Sequence, residues 1–197
     1  IVDGQANLED FEHLVQLLVQ GGVDVIQLRD KRLLDAELLE RARRLRELTR
    51  GSSTLFIMND RADLARLAQA DGVHIGQDEL TVGEARSIVG AGALVGVSTH
   101  TIEQARQAVL DGANYLGVGP VFASRTKAFG NEALVGVELL RAVHAEITLP
   151  AFAIGGIHRE NLPQVLAAGF DRIAVSAAVT DAADPHQAAR ELRTLLH

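Results

Sequence analysis

The chain has 197 residues, of which 47% are hydrophobic and 23% charged, and its formal net charge at pH 7 is −7. This length favours a single domain, residues 1–197, whose core is large enough to need no disulfide. The acidic balance argues against nucleic-acid or anionic-membrane binding, and the lack of cysteine excludes disulfides and thiolate chemistry. Because no signal-peptide pattern and no membrane-length apolar run occur, we expect a cytoplasmic protein.

Short apolar, β-branched runs alternate with helical patterns along the whole chain. Ile1-Val2 is interpreted as the end of a first strand that is largely missing from this chain. Seven further strands are predicted at 23–28, 54–58, 72–75, 94–97, 115–118, 151–154 and 172–175. Their residues are apolar on both faces, which is typical of a parallel sheet that helices cover.

Between these strands, apolar residues recur at the three- and four-residue spacing of amphipathic helices, as from Leu8 to Leu18. Asp184 and Pro185 are typical of the cap and the first residue of the last helix. Eight strand–helix units predict a short (β/α)8 TIM barrel. The alternative, a doubly wound open sheet, has fewer strands. The connection 119–134 is long, which is typical of a functional loop.

In such a barrel the active site lies at the carboxyl ends of the strands. Nearly every predicted strand here ends in polar residues or glycine. In chain order these segments are QLRDK (27–31), NDR (59–61), HIGQDE (74–79), STH (98–100), GP (119–120) followed by SRTK (124–127), GG (155–156) and VS (175–176). Their common position predicts one polar site.

The two lysines of the chain, Lys31 and Lys127, both fall in these loops, whereas 17 arginines are distributed along the whole sequence. A lysine suits the binding of a phosphate or diphosphate, although two unrelated surface lysines are the alternative. Gly155, Gly156 and Ser176 follow the last two strands, where barrels commonly bind phosphate. A plain tight turn is the alternative for the two glycines.

Two carboxylates, Asp60 and Glu79, follow neighbouring strands close to these cations. This arrangement predicts a hard cation that bridges protein and substrate oxygens, with salt bridges to the same basic residues as the alternative. His74 and His100 are the histidines best placed for a site. Because no zinc-binding spacing accompanies them, we expect hydrogen-bonding roles.

The ordered set of motifs resembles the thiamine phosphate synthase family over nearly the whole chain. The matching segments are QLRDK (27–31), NDR (59–61), ADGVHIGQ (70–77), GVSTH (96–100), GVGPVF with S-x-T-K (117–127), AIGGI (153–157) and AVS (174–176). The resemblance implies a Mg²⁺-dependent transferase that condenses hydroxymethylpyrimidine diphosphate with thiazole phosphate. The products would be thiamine phosphate and pyrophosphate, formed through a pyrimidinylmethyl cation, and the carboxylated thiazole phosphate is expected as a second acceptor.

The resemblance also implies residue roles. Pyrimidine diphosphate binding is implied for Gln27, Arg29, Lys31, Asn59 and Lys127. Ser98 would hydrogen-bond the leaving diphosphate or the pyrimidine substrate, and substrate binding is also implied for Leu28, Asp30 and His74. Thiazole phosphate binding is implied for Ser124, Arg125, Thr126, Gly155, Gly156, Val175 and Ser176. Direct catalytic roles are implied for Arg29, Lys31, Ser98 and Lys127, and Mg²⁺ ligation for Asp60 and Glu79.

Two positions depart from the family pattern. Glu79 stands where the family commonly has aspartate, and Ser124 stands where it has threonine. Segment 128–131 also lacks a frequent acidic residue. Related thiazole tautomerases share the barrel but need neither a metal pair nor a diphosphate site. A non-catalytic binder of thiamine precursors also stays open, as does a homo-oligomer.

Overall fold

The computed structural model describes residues 1–4, 6–123 and 134–196. The strands are β1 (Val25–Leu28), β2 (Leu55–Asn59), β3 (Gly72–Ile75), β4 (Leu94–Thr99), β5 (Tyr115–Val118), β6 (Ala151–Ile154) and β7 (Ile173–Ala174). The helices are α1 (Leu8–Gln20), α2 (Asp35–Thr49), α3 (Ala62–Leu67), α4 (Val82–Val89), α5 (Ile102–Leu110), α6 (Gly136–Glu146), α7 (Leu162–Ala167), α8 (Ala177–Thr180) and α9 (Pro185–Leu196). Among the helices described, none combines the length and apolar character that crossing a membrane requires.

The seven strands form one sheet in the order β1 to β7, and every neighbouring pair is parallel. Helices connect successive strands and bury one face against the sheet. In α1, for example, Phe11, Val15 and Leu18 are buried at helical spacing. Because the strand order follows the chain order without reversal, the sheet is that of a barrel and not of a doubly wound fold.

The residues Ile1 and Val2 connect the two edges of this sheet. Val2 forms a parallel bridge with Leu28 of β1, and the Ile1 nitrogen donates to the Val175 carbonyl oxygen, 2.7 Å away, just after β7. Both contacts lie at the carboxyl ends of the flanking strands. The two residues therefore occupy the place of the first of eight strands, and the predicted TIM barrel is confirmed.

The predicted boundaries agree with the structure within two residues at most strand ends. The strands β3, β5 and β6 have the predicted bounds, whereas β1 begins at Val25 and β7 consists of two residues. The cap of α9 is as predicted, because Asp184 Oδ1 accepts the Gln187 backbone N–H at 2.9 Å. The four-residue helix α8 was not predicted, since one turn is too short to show a hydrophobic period.

A glycine in β3 allows two strands to approach each other. A Cβ on Gly72 would overlap the carbonyl oxygen of Leu94 in β4. We expect Gly72→Ala to lower the free energy of unfolding by about 1–3 kcal/mol, the usual cost of overpacking. In the matched control Gly83→Ala, in α4, the new Cβ would meet nothing within 4 Å. It should raise the free energy of unfolding by up to about 1 kcal/mol. Urea denaturation measures both, and equal effects would contradict this account.

Candidate active site

An ion-pair cluster lies at the carboxyl ends of β1, β2 and β3. Lys31 Nζ is 3.2 Å from Asp60 Oδ2 and 3.8 Å from Glu79 Oε1. The Asp60 side chain is only 16% exposed, whereas those of Lys31 and Glu79 are 57% and 40% exposed. The structure thus brings the two predicted metal ligands to one ammonium group, which offsets one of their two negative charges.

Asp60 is held by an unusual turn at the end of β2. Its φ is +60°, in the left-handed region that non-glycine residues seldom adopt. Its backbone N–H donates to the His74 carbonyl at 2.7 Å, and its carbonyl accepts from Ala62 at 3.0 Å. Backbone conformations of this kind concentrate at functional sites, where the surrounding structure holds them in place. Here the turn and its two backbone hydrogen bonds fix the position of the Asp60 backbone, from which the side chain extends.

Asp30 organises the loop that carries Lys31. Its carboxylate accepts backbone N–H groups from Gly4 at 3.0 Å, Arg32 at 2.7 Å and Leu33 at 2.9 Å. Three such bonds fix the loop between β1 and α2. A direct contact between Asp30 and substrate stays a prediction. The structure gives the residue a supporting role that the sequence did not indicate.

The other predicted residues of β1 and β2 differ in their exposure and in the hydrogen-bond donors that they present to a substrate. The Leu28 side chain is fully buried in the core, while Gln27, Arg29 and Asn59 are partly exposed. Within the described ranges, no side chain or backbone group hydrogen-bonds or pairs with the Arg29 guanidinium or the Asn59 amide. Among the described residues, the donors of both groups therefore have no partner, and both groups lie at the carboxyl ends of β1 and β2.

A hydrogen-bonded layer lies inside the barrel. His74 Nε2 is 2.9 Å from Ser98 Oγ, and His74 Nδ1 is 3.1 Å from the Tyr115 hydroxyl. Burial lowers the pKa of His74 to about 4, against a smaller opposing effect of Asp60, and burial raises the pKa of Tyr115. Both rings are therefore neutral near pH 7. Together with Gln27 they line a cavity of about 300 Å³.

Gln77 connects the loop after β3 to β4. Its side-chain amide donates to the Ser98 carbonyl oxygen at 2.6 Å. This bond fixes the start of the loop that carries Glu79 relative to Ser98. The Nδ1 atom of His100 forms a hydrogen bond with the Gly119 carbonyl oxygen, 2.5 Å away. Both residues thus hold strand ends together.

The pair Gly155–Gly156 follows β6 in left-handed conformations, with φ of +106° and +57°. A Cβ on Gly155 would lie 2.7 Å from Pro120 Cα, and a Cβ on Gly156 would overlap the Ala123 carbonyl oxygen. Both glycines are therefore needed for packing against the segment after β5, whether or not a phosphate binds there. This finding gives weight to the tight-turn alternative without excluding phosphate binding.

The remaining predicted residues lie at the same end of the barrel or outside the described ranges. Val175 and Ser176 follow β7, and α8 begins directly after Ser176, in the position of the short extra helix that accompanies phosphate sites in barrels. The predicted residues Ser124, Arg125, Thr126 and Lys127 lie outside the described residues. The described chain reaches Ala123 beside Gly156.

The sequence analysis did not identify Tyr115 as part of the site, and it gave Gln77 no role beyond its place in segment 74–79. Tyr115 is the only tyrosine of the chain, and it lies two residues before Gly117 on one face of β5. A polar ring on the inward face of a barrel strand was the available signal. Gln77 carried no signal beyond its place after a strand.

Comparisons with known proteins agree on one family. Residues 1–179 match the family model described as thiamine monophosphate synthase. The thiamine-phosphate synthase of Moorella thermoacetica is 46% identical over 183 residues, covering 93% of this chain and 87% of that protein. The corresponding protein of Chloroflexus aurantiacus is 45% identical, covering 93% and 84%. The structure of thiamine phosphate pyrophosphorylase from Pyrococcus furiosus superposes with a TM-score of 0.85 at 36% identity, covering 94% of this chain and 88% of that one.

The buried His74 predicts a pH dependence of stability. Its pKa falls from the ordinary value of 6.5 to about 4 on folding. The unfolded chain therefore binds the proton more tightly, and stability decreases as the pH falls from about 6.5 to about 4. This residue should contribute a loss of up to about 1.4 kcal/mol per pH unit in that window. Urea denaturation at pH 7 and pH 5 should show a smaller decrease for His74→Gln than for the unsubstituted protein. Equal decreases would contradict the assignment.

Proposed function

Because the chain belongs to the thiamine monophosphate synthase family, we propose that it is a transferase that joins hydroxymethylpyrimidine diphosphate to thiazole phosphate. The products are thiamine phosphate and pyrophosphate. The observation that carries the proposal is the convergence of Asp60 and Glu79 on Lys31 at adjacent strand ends. A diphosphate leaving group needs this combination of cation and metal-binding carboxylates. A thiazole tautomerase needs neither.

The two carboxylates fit a magnesium ion. Mg²⁺ is usually bound by one or two carboxylates together with substrate phosphates and water. Asp60 and Glu79 already face one positive charge, the Lys31 ammonium, and Asp60 is held rigidly by its turn. No group of three or more potential metal ligands occurs in ranges 1–4, 6–123 and 134–196, so substrate oxygens would complete the coordination. When bound, the ion would supply positive charge for the departing diphosphate.

The cations at the carboxyl ends of the strands, which form the mouth of the barrel, would hold the diphosphate. The Arg29 guanidinium has no partner among the described residues, and the Lys31 ammonium is more than half exposed on a flexible stem. We expect Lys31 to leave the carboxylates and contact the diphosphate when substrate binds. Lys127 would approach from the segment after β5, a role that rests on the sequence motif alone. Donors aimed at developing negative charge lower the barrier to bond cleavage.

The pyrimidine would bind between β1, β2 and β4. Gln27 and the amide of Asn59, which has no partner among the described residues, would hydrogen-bond the ring, and Ser98 would donate to the same substrate. The thiazole phosphate would bind at the opposite strands, near Gly156 and Ser176. We expect a backbone N–H in the Gly155–Gly156 pair to contact that phosphate, with Ser124 to Thr126 completing the site.

The reaction then requires no side-chain nucleophile. The bond between the pyrimidine methylene carbon and the diphosphate oxygen breaks, and its electron pair leaves with the pyrophosphate. The thiazole nitrogen donates its lone pair to the resulting pyrimidinylmethyl cation. His74 is neutral and Tyr115 is protonated near pH 7, so neither adds charge beneath the reacting carbon. The charged side chains of the site, among them Arg29, Lys31 and Asp60, follow the carboxyl ends of the strands, where the pyrophosphate would form.

The proposed function is tested by mixing both substrates with the protein and Mg²⁺. We expect one pyrophosphate for each thiamine phosphate, measured by chromatography and a coupled phosphate assay. EDTA should abolish both products, because the leaving group carries several negative charges. Product formation that is unaffected by EDTA would contradict the metal assignment. Isomerisation of the thiazole without condensation would contradict the proposed reaction.

Lys31 and its neighbour Arg32 form a matched pair of cations. Arg32 pairs with Asp3 at 3.7 Å and not with the cluster, and its side chain is 69% exposed. We expect Lys31→Ala to lower kcat by at least about 100-fold, as when one charge stabiliser of a transition state is removed. Arg32→Ala should leave kcat nearly unchanged. Steady-state kinetics decide, and equal losses in the two variants would refute the role of Lys31.

The position of the second metal ligand has its own test. Glu79 Oε1 lies 3.8 Å from Lys31 Nζ, whereas Asp78 forms no ion pair with any residue that the structure describes. We expect Glu79→Ala to raise the Mg²⁺ concentration needed for half-maximal activity by about 10-fold or more. Asp78→Ala should change it little. The reverse ranking in a Mg²⁺ titration would assign the ligand to Asp78.

A further inference from the structure

Three side chains form a hydrogen-bonded line across three neighbouring strands. Tyr115 of β5 contacts Nδ1 of His74 of β3, and Nε2 of the same ring contacts Ser98 of β4. The Tyr115 and His74 ring centroids are 5.5 Å apart. Tyr115 is thereby connected to a residue with a proposed catalytic role, although no substrate role is assigned to the tyrosine itself.

Two glycines make room for this line. Gly96 of β4 pairs with His74 on one side and with Tyr115 on the other. A Cβ on Gly96 would overlap the tyrosine ring, and a Cβ on Gly117 would lie 3.1 Å from His74 Cε1. The tyrosine therefore crosses β4 over a glycine to reach the histidine. This arrangement depends on the residues at 96 and 117.

The direction of the hydrogen bonds follows from the donors and acceptors available. A tyrosine hydroxyl carries one proton, and a buried donor needs an acceptor. Within the described ranges, the only hydrogen-bond partner of the Tyr115 hydroxyl is His74 Nδ1. If Nδ1 carried a proton, no acceptor among the described residues would remain for the tyrosine proton. The hydroxyl therefore donates to Nδ1.

This direction determines the rest of the line. A neutral imidazole has one N–H, so an unprotonated Nδ1 places the proton on Nε2. Nε2 then donates to Ser98 Oγ at 2.9 Å. The serine accepts from the histidine, and its own O–H is free to donate elsewhere. The Ser98 backbone is held independently, because its carbonyl accepts from Gln77.

We propose that Tyr115 is a positioning residue that fixes His74 as the Nε2–H tautomer and thereby directs the Ser98 hydroxyl proton to the pyrimidine substrate. The identity of that substrate rests on the proposed function. The tautomer of His74 does not, because it is a property of the protein without ligand. The two parts can therefore fail separately.

The first experiment observes the tautomer in the protein alone. The seven histidines are labelled with ¹⁵N, and the His74 signals are assigned by their loss in His74→Gln. Long-range ¹H–¹⁵N spectra near pH 7 should show a protonated Nε2 and an unprotonated Nδ1. A proton on Nδ1, or on both nitrogens, would overturn the proposal. This measurement needs no Tyr115 variant.

Removal of the hydroxyl gives the second observation. Tyr115→Phe keeps the ring but removes the donor, so the His74 signals should shift toward a mixture of the two tautomers. The matched control is Thr54→Val. It removes the buried hydroxyl of Thr54, which lies just before β2 and donates to the Val23 carbonyl. It should leave the His74 signals unchanged. Unchanged signals in Tyr115→Phe, or equal changes in both variants, would overturn the proposal.

Kinetics test whether Tyr115 acts through Ser98. Tyr115→Phe should lower kcat about 10-fold with little change in either KM, since misorienting one donor costs part of what its loss costs. In the Ser98→Ala background the same substitution should have no further effect. Equal losses in both backgrounds would assign a merely structural role and overturn the proposal. Lack of condensation by the unsubstituted protein would instead reject the proposed function, while the tautomer measurement still decides the role of Tyr115.

Discussion

The site depends on the repulsion between two carboxylates at neighbouring strand ends. Parallel strands lie about 4.8 Å apart, so acidic side chains that follow adjacent strands share one small volume. Asp60 is mostly buried and its backbone is fixed by the left-handed turn, so it cannot move away. A positive charge within reach of both carboxylates lowers this repulsion. In the protein alone this charge is Lys31, and the proposed reaction exchanges it for a metal ion and a diphosphate.

Beneath this charged layer the barrel is neutral. His74 is buried and Tyr115 is partly buried, and their pKa values are displaced in the directions that keep both uncharged. Hydrogen bonds organise this layer and continue to Ser98 at its upper edge. Along the barrel axis, towards the carboxyl ends of the strands, an apolar core is therefore followed by a neutral polar layer and then by a charged mouth. This order concentrates electrostatic stabilisation where a leaving diphosphate would form.

Much of this arrangement could be predicted from the sequence, because strand periodicity and strand order determine which residues meet. The short run that became β3 had the right bounds, and the convergence of Asp60, Glu79 and Lys31 followed from their places after neighbouring strands. Features that depend on contacts distant in the chain were not predictable. The three backbone bonds to Asp30 and the passage of Tyr115 over Gly96 both require the folded geometry.

The central claim is that Asp60 and Glu79 bind a metal ion jointly with the substrate diphosphate. It is tested most directly by calorimetry, in which a pyrimidinylmethyl bisphosphonate is titrated into the protein in the presence of Mg²⁺ or of EDTA. This analogue binds like the diphosphate, but its methylene carbon cannot lose the leaving group. We predict an affinity at least about 10-fold higher with Mg²⁺, because a cation shared by two carboxylates and a diphosphate couples their binding. Asp60→Asn should remove most of this difference. Equal affinities of the unsubstituted protein in Mg²⁺ and in EDTA would contradict the account.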